Sequence, residues 1–280
     1  MTLHPLRALA LAAVASVLAT FPAVADGIGP WADGERASAR LIVASSGPDG
    51  RVDAGLEIVL PPGWKTYWRN PGDAGIEPRF DFAPSQNVAE VRVAFPTPER
   101  EDDGYAVSNV YHDRVLFPLD VTVADPDAPA RLVGDLRFGV CEVVCVADRV
   151  VVEVDLGSGG ATRAIRILEK ARATLPGEAV AGEFAVTGVR RDGGTDKRPV
   201  YVFRTVSPAG GATDVFVDGP DGWYPALPVL ESEDGQAADW RVKFARSGSD
   251  VGPENPAFTV VLSADGRAIQ QDVSLDKPGL

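Results

Sequence analysis

Two residues in this chain carry thiol chemistry, Cys141 and Cys145, and they are its only cysteines. They lie in Phe138-Gly-Val-Cys-Glu-Val-Val-Cys-Val-Ala147, a C-x-x-x-C spacing. Two thiols this close can form a reversible disulfide, bind a soft metal ion, or staple a loop. Geometry narrows the choice. A disulfide needs Cα atoms roughly 4.4–6.8 Å apart, whereas four residues of straight strand span ~13 Å. The segment must therefore bend, as a helical turn or as a hairpin that sets the cysteines opposite each other. Glu142, Val143 and Val144 include no Gly, Pro or Asn to ease a tight turn.

A ring that encloses three intervening residues removes little unfolded-state entropy, so it is a weak staple for a chain of this size. Two thiolates, with His112 as a third ligand, form a candidate Cu(I) site. Reversible thiol–disulfide exchange is the favoured use. The surroundings differ from those of a self-sufficient oxidoreductase. Thioredoxin-like proteins place C-x-x-C at a helix start, where the helix end depresses the thiol pKa. Here the pair follows a β pattern, and Glu142 disfavours a neighbouring thiolate. A pair of this kind relies on its partner for reactivity. Val140, Val143, Val144 and Val146 are candidates for a partner surface, with core burial the ordinary fate of most of them.

The compartment follows from the N-terminus. Arg7, the apolar run Leu9 to Ala19 and Ala23-Val-Ala25 read as a secretory signal peptide over residues 1–25, with cleavage before Asp26. The expected mature chain is soluble in an oxidising compartment, where disulfides persist. Its net charge, −13 for the whole sequence, argues against nucleic acid or anionic lipid as a partner. One histidine, His112, survives cleavage, which excludes multi-histidine metal sites within the chain. No cofactor is expected. A hydrolase finds no support either, since no serine or cysteine nucleophile motif surrounds His112.

The elements that must position the cysteines are short alternating strands. Ser38 to Ser45 and Val52 to Leu60 flank a Ser46-Gly-Pro-Asp-Gly50 turn. Further strands are expected at Trp64 to Arg69, Glu77 to Phe82, Val88 to Phe95, Arg114 to Val123, Arg131 to Val140 and Arg149 to Leu156. Thr162 to Leu175 shows helical periodicity, with Ile165, Leu168, Ala171 and Leu175 on one face and Pro176-Gly177 as a stop. Strands resume at Glu183 to Arg190, Pro199 to Val206, Thr213 to Val217, Asp239 to Ala245, Ala257 to Ser263 and Arg267 to Leu275. Asp265-Gly266 marks a tight hairpin. The predicted architecture is all-β: two immunoglobulin-like β-sandwich domains, residues 26–158 and 179–280, joined by a short helical connector over residues 159–178.

Gly63-Trp-Lys-Thr-Tyr-Trp-Arg69, Asn70-Pro-Gly-Asp-Ala-Gly75, Tyr111-His-Asp-Arg-Val-Leu-Phe-Pro118 and the cysteine segment running on to Leu156 resemble the N-terminal periplasmic domain of the DsbD family, in its ScsB-like branch. The resemblance covers most of residues 26–156 and, more loosely, the second half. It implies an immunoglobulin-like domain that passes reducing equivalents from a membrane-embedded thiol electron donor to periplasmic thiol proteins, with thioredoxin-like proteins among its partners. Carried over residue by residue, Cys145 is the cysteine that forms mixed disulfides and Cys141 resolves them. A cap loop falls at Asp102, Asp103, Gly104 and Tyr105, with Tyr105 as aromatic shield, and Tyr67 matches an aromatic position beside the cysteines. The cysteines are closer together than in the enterobacterial DsbD domain, so a different hairpin geometry is expected. No membrane portion or thioredoxin-like domain is found in this sequence, so electrons are expected from a separate membrane protein. The rival expectation is a non-enzymatic module, a copper carrier or structural adaptor, using the cysteines as ligands or staple.

Overall fold

The computed structural model describes residues 26–208, 213–247 and 253–275; the signal-peptide expectation for residues 1–25 lies outside them. The first half contains eleven strands: β1 (Ala32–Asp33), β2 (Ser38–Ser46), β3 (Arg51–Val59), β4 (Lys65–Gly72), β5 (Arg79–Asp81), β6 (Val88–Val93), β7 (Glu99–Asp102), β8 (Val107–His112), β9 (Arg114–Val123), β10 (Arg131–Cys141) and β11 (Cys145–Asp155). They form two facing sheets, β1-β2-β3-β9-β6 and β11-β10-β4-β8-β7, with β5 paired to β10. Alternation decides which side chains meet between the sheets. Leu41, Val43, Leu56 and Ile58 from one sheet pack with Trp68, Leu136, Phe138 and Val140 from the other.

Helix α1 (Thr162–Arg172) ends three residues before the expected Leu175, where Ala173 to Leu175 continue as turns. It is docked rather than free. Ala164 and Leu168 pack on Ile42 and Ala44, the outward face of β2. This explains why Leu41 to Ala44 are apolar without alternation: one face meets the sandwich core and the other meets the helix. The Arg172 guanidinium clamps the same sheet through Asp53 and Asp120.

The second half comprises β12 (Gly177–Glu178), β13 (Ala185–Thr195), β14 (Arg198–Val206), β15 (Thr213–Asp218), β16 (Trp223–Pro225), β17 (Val229–Asp234), β18 (Ala237–Arg246), β19 (Ala257–Ala264) and β20 (Arg267–Ser274). Its sheets are β12-β20-β19-β15 and β13-β14-β18-β16, with β17 on β18. Aromatic packing of Tyr201, Phe203, Trp223, Phe244 and Phe258 fills its core. The Asp265-Gly266 turn has φ of +51° and +73°, as a two-residue hairpin of the primed type requires.

The halves share apolar contacts. Phe216 and Val261 of the second belong to the same cluster as Trp68 of the first, and the Trp68 and Phe216 rings meet edge-on at 5.9 Å. Asn70 donates through Nδ2 to the carbonyl of Val217 at 2.9 Å, and Arg100 donates to that of Val215 at 2.6 Å.

Candidate redox site

Strands β10 and β11 form an unbroken antiparallel hairpin whose register runs from Arg131↔Asp155 to Cys141↔Cys145. The final pair closes a three-residue loop, Glu142 to Val144. None of the three adopts a positive φ, so the turn closes without a left-handed residue. The two sulfurs are joined as a disulfide, with Cα atoms 4.1 Å apart. A hairpin, rather than a helical turn, thus supplies the bend that straight-strand geometry demands.

The two sulfurs occupy unlike environments. Cys141 is 1 % exposed and clusters with Tyr67 and Val110, whereas Cys145 is exposed at the hairpin end. Of the four valines considered above, Val140 is core and Val146 is half-buried. Val143 and Val144 project from the tip, 93 % and 68 % exposed.

Strand β4 lies between β10 and β8 and brings the remaining side chains. Thr66 and Trp68 turn inward, Thr66 donating from its hydroxyl to the Gly139 carbonyl at 2.8 Å. Lys65 and Tyr67, at alternate positions, share the opposite face. Tyr67 is 2 % exposed, and its hydroxyl stands 3.4 Å from Cys145 Sγ. The ring fits because glycines flank it. A Cβ on Gly75 would lie 2.4 Å from the Tyr67 ring, and one on Gly139 would lie 3.1 Å from it. The Pro-Gly-Asp-Ala-Gly75 block thus has a packing reason for its last glycine. Burial pushes the Tyr67 phenol above its ordinary pKa, and the nearby Lys65 charge counters that rise.

Lys65 was not among the residues singled out from the sequence, and neither was Glu101. The Lys65 ammonium is nearly buried, 2.7 Å from Glu101 Oε1 and 3.5 Å from Asp103 Oδ2. Burial alone would lower its pKa. The hydrogen bond to Glu101 and the surrounding negative charge outweigh that and raise it. Lys65 is the Cα partner of Cys141 on one side and of His112 on the other. His112 Nε2 in turn sits 2.9 Å from Glu101 Oε2. The only signal in the sequence was one lysine inside the apolar run Trp64 to Trp68.

The expected cap loop connects β7 to β8. Asp102 accepts from the Gly104 N–H, and Asp103 accepts from those of Tyr105 and Ala106, at 2.9, 3.0 and 3.0 Å. These backbone bonds hold the Asp103 carboxyl below the ordinary range, helped by Lys65. Gly104 has φ +84°, with open space around it. Tyr105 is 100 % exposed, so its ring does not rest on the sulfurs in this conformation. The loop is tied to the site by Lys65 instead. His112, the candidate third copper ligand, is engaged with Glu101. Among the described residues no three His, Cys, Asp or Glu side chains converge as metal ligands.

Residues 36–154 match the family described as thiol:disulfide interchange protein DsbD, N-terminal. The first sandwich is a DsbD-family N-terminal domain. The match takes in β4, the cap-loop segment and the cysteine hairpin as far as Val154 of this DsbD-type domain. A crystal structure of the N-terminal periplasmic domain of ScsB from Proteus mirabilis superposes with a TM-score of 0.67 at 22 % identity, covering 89 % of this chain and 98 % of that one. The likeness extends the shared fold through the second sandwich, beyond the DsbD-type domain itself. No curated protein matches the sequence. Among the described residues no helix is long and apolar enough to cross a membrane.

Proposed function

We propose that this protein is a periplasmic thiol–disulfide relay that takes reducing equivalents from a membrane-embedded thiol donor and delivers them to thioredoxin-like thiol proteins. The observation that carries this reading is the asymmetry of the pair: an exposed Cys145 joined to a buried Cys141 at the end of a hairpin, in a DsbD-type domain.

Each sulfur has a role. In the reduced protein the Cys145 thiolate attacks one sulfur of a partner disulfide. A Cys145–partner bond forms, and the partner's other sulfur leaves as a thiolate and takes up a proton. Cys141, losing its proton, then attacks Cys145 Sγ, the Cys141–Cys145 bond re-forms, and the partner's second sulfur departs as a thiolate that is protonated. Two electrons and two protons pass to the partner. The donor reverses these steps to recharge the pair. The loop from Asp102 to Tyr105 gates access, swinging Tyr105 over or away from the hairpin tip. The second sandwich carries no cysteine and positions the assembly.

The reduced chain, mixed with an oxidised thioredoxin-like protein, tests the proposal by mass spectrometry of alkylated products. The expected result is an oxidised pair in this chain, a reduced partner, and a stable mixed disulfide through Cys145 in the Cys141→Ser variant. Absence of both exchange and adduct would overturn it.

A further inference from the structure

The sulfur chemistry above leaves unexplained why a lysine is held, almost fully covered, in the central strand beside the disulfide. We propose that Lys65 is a positioning residue that acts through the Tyr67 hydroxyl to favour the Cys145 thiolate, and that Glu101 and Asp103 hold this influence in check. The proposal rests on the relay reading only for the choice of Cys145 as the attacking sulfur.

Four observations support it. Lys65 and Tyr67 are two residues apart on β4, so their side chains share a face. The Tyr67 hydroxyl is the group in contact with Cys145 Sγ, at 3.4 Å. A hydroxyl donating to a thiolate does so more strongly when a cation lies beside it, because the developing negative charge on oxygen is stabilised. The Lys65 charge already opposes the burial-driven rise of the Tyr67 pKa. Finally, the ammonium is not free to act at full strength, since two carboxylates share it.

The charged and titratable groups around the sulfur come from several elements. Lys65 and Tyr67 stand on β4, Glu101 on β7, Asp103 on the loop after it, His112 on β8, and Glu142 on the hairpin turn. Lys65 is the one cation carrying a fixed charge among these six. Removing it leaves Tyr67 among acids, and the thiolate is disfavoured. Neutralising Glu101 instead leaves the lysine less compensated, and the thiolate is favoured. Either change removes the same ion pair, which is 2.7 Å long in the wild-type chain. A lysine that merely braced the loop would give both substitutions the same effect, whereas a charge acting on the sulfur gives them opposite signs.

The experiment follows the rate of Cys145 alkylation by iodoacetamide against pH, in the full chain carrying Cys141→Ser, with and without Lys65→Met or Glu101→Gln. Lys65→Met is expected to move the midpoint up, slowing alkylation at pH 7 by roughly three- to tenfold. Glu101→Gln is expected to move it down, with a rate gain of about threefold at the same pH. Shifts of the same sign, or no shift in either variant, overturn the proposal. If Lys65→Met does not fold by circular dichroism, Glu101→Gln on the edge strand decides alone: a downward shift supports it and any other result overturns it. A wild-type chain that fails to exchange with a thioredoxin-like disulfide refutes the relay and leaves these profiles to be judged separately.

Discussion

Cys141 and Lys65 are Cα partners, and this is the register point at which the cysteine hairpin joins the centre of its sheet. One row of positions therefore crosses four strands, from Cys145 through Cys141 and Lys65 to His112. The buried Cys141 is held inside that row, while the exposed Cys145 stands at its outer end. The division of labour proposed for the cysteines has its structural basis in this difference of position.

The division predicts unequal reactivity. With Cys141→Ser, the remaining Cys145 thiol is exposed and reacts readily with a bulky maleimide. With Cys145→Ser, the remaining Cys141 is covered by Tyr67 and Val110, and labelling is expected to slow by about tenfold or more. Labelling of the two variants under native conditions checks this, with equal rates in urea as the control. Equal native rates would contradict the assignment.

Tyr67→Phe keeps the ring between Gly75 and Gly139 and deletes only the hydroxyl facing Cys145. Stability is expected to change by less than about 1 kcal/mol. Mixed-disulfide formation through Cys145 should slow several-fold at neutral pH, with the difference fading in alkaline solution as the thiol ionises without help. Stopped-flow exchange in both pH regimes measures it.

Gly75 and Gly63 both have positive φ, but only Gly75 faces a side chain at close range. Alanine at Gly63 meets open space and carries only the conformational penalty, on the order of 1 kcal/mol. Alanine at Gly75 must also displace the Tyr67 ring, adding about 1–3 kcal/mol. Urea unfolding should therefore rank Gly75→Ala well below Gly63→Ala. The first variant should also lose the Tyr67–Cys145 contact and react more slowly.

Asp218 lies at the junction of the sandwiches, where burial pushes its carboxyl up to about 6, and Arg69 only partly offsets this. A folded-state pKa above the unfolded value means that protonation favours the native state. This contribution is complete below about pH 4 and is lost as pH rises through about 6. Asp218→Asn should thus stabilise the chain at pH 7, by an amount on the order of 1–2 kcal/mol, and show no such gain at pH 4. Thermal unfolding at the two pH values tests it; a loss at pH 7 would show that the ionised carboxylate is needed by Arg69.

Much of the fold was legible because alternation reports burial directly. Arg114 to Val123 was read with its observed bounds, and the Asp265-Gly266 turn was read from two residues that accept positive φ. Glu99–Asp102 and Val107–His112 escaped notice for identifiable reasons. The first is a run of charges, and in the second the buried Ser108 and Asn109 interrupt the apolar pattern. Asn109 is buried because its amide donates to the Asn70 carbonyl at 2.9 Å, a partner that spacing does not reveal. Trp223–Pro225 and Val229–Asp234 were missed as well; the first is short and the second is exposed throughout, with no alternation to read. At the site, the bend at the cysteines followed from chain length alone. The Lys65–Glu101 pair did not, because its members lie 36 residues apart and meet only through sheet registration.

The edge-on meeting of Trp68 and Phe216 has a mechanical consequence. Two sandwiches that share a greasy seam of this kind tumble as one body, so the hairpin tip gains no reach from swinging about a loose hinge. On the relay reading, partners must be brought to it, and their search is governed by whatever anchors or concentrates them nearby. A chain ended after Ser158 would bare the indole that Phe216 covers, making the isolated redox half stickier and less soluble than the whole.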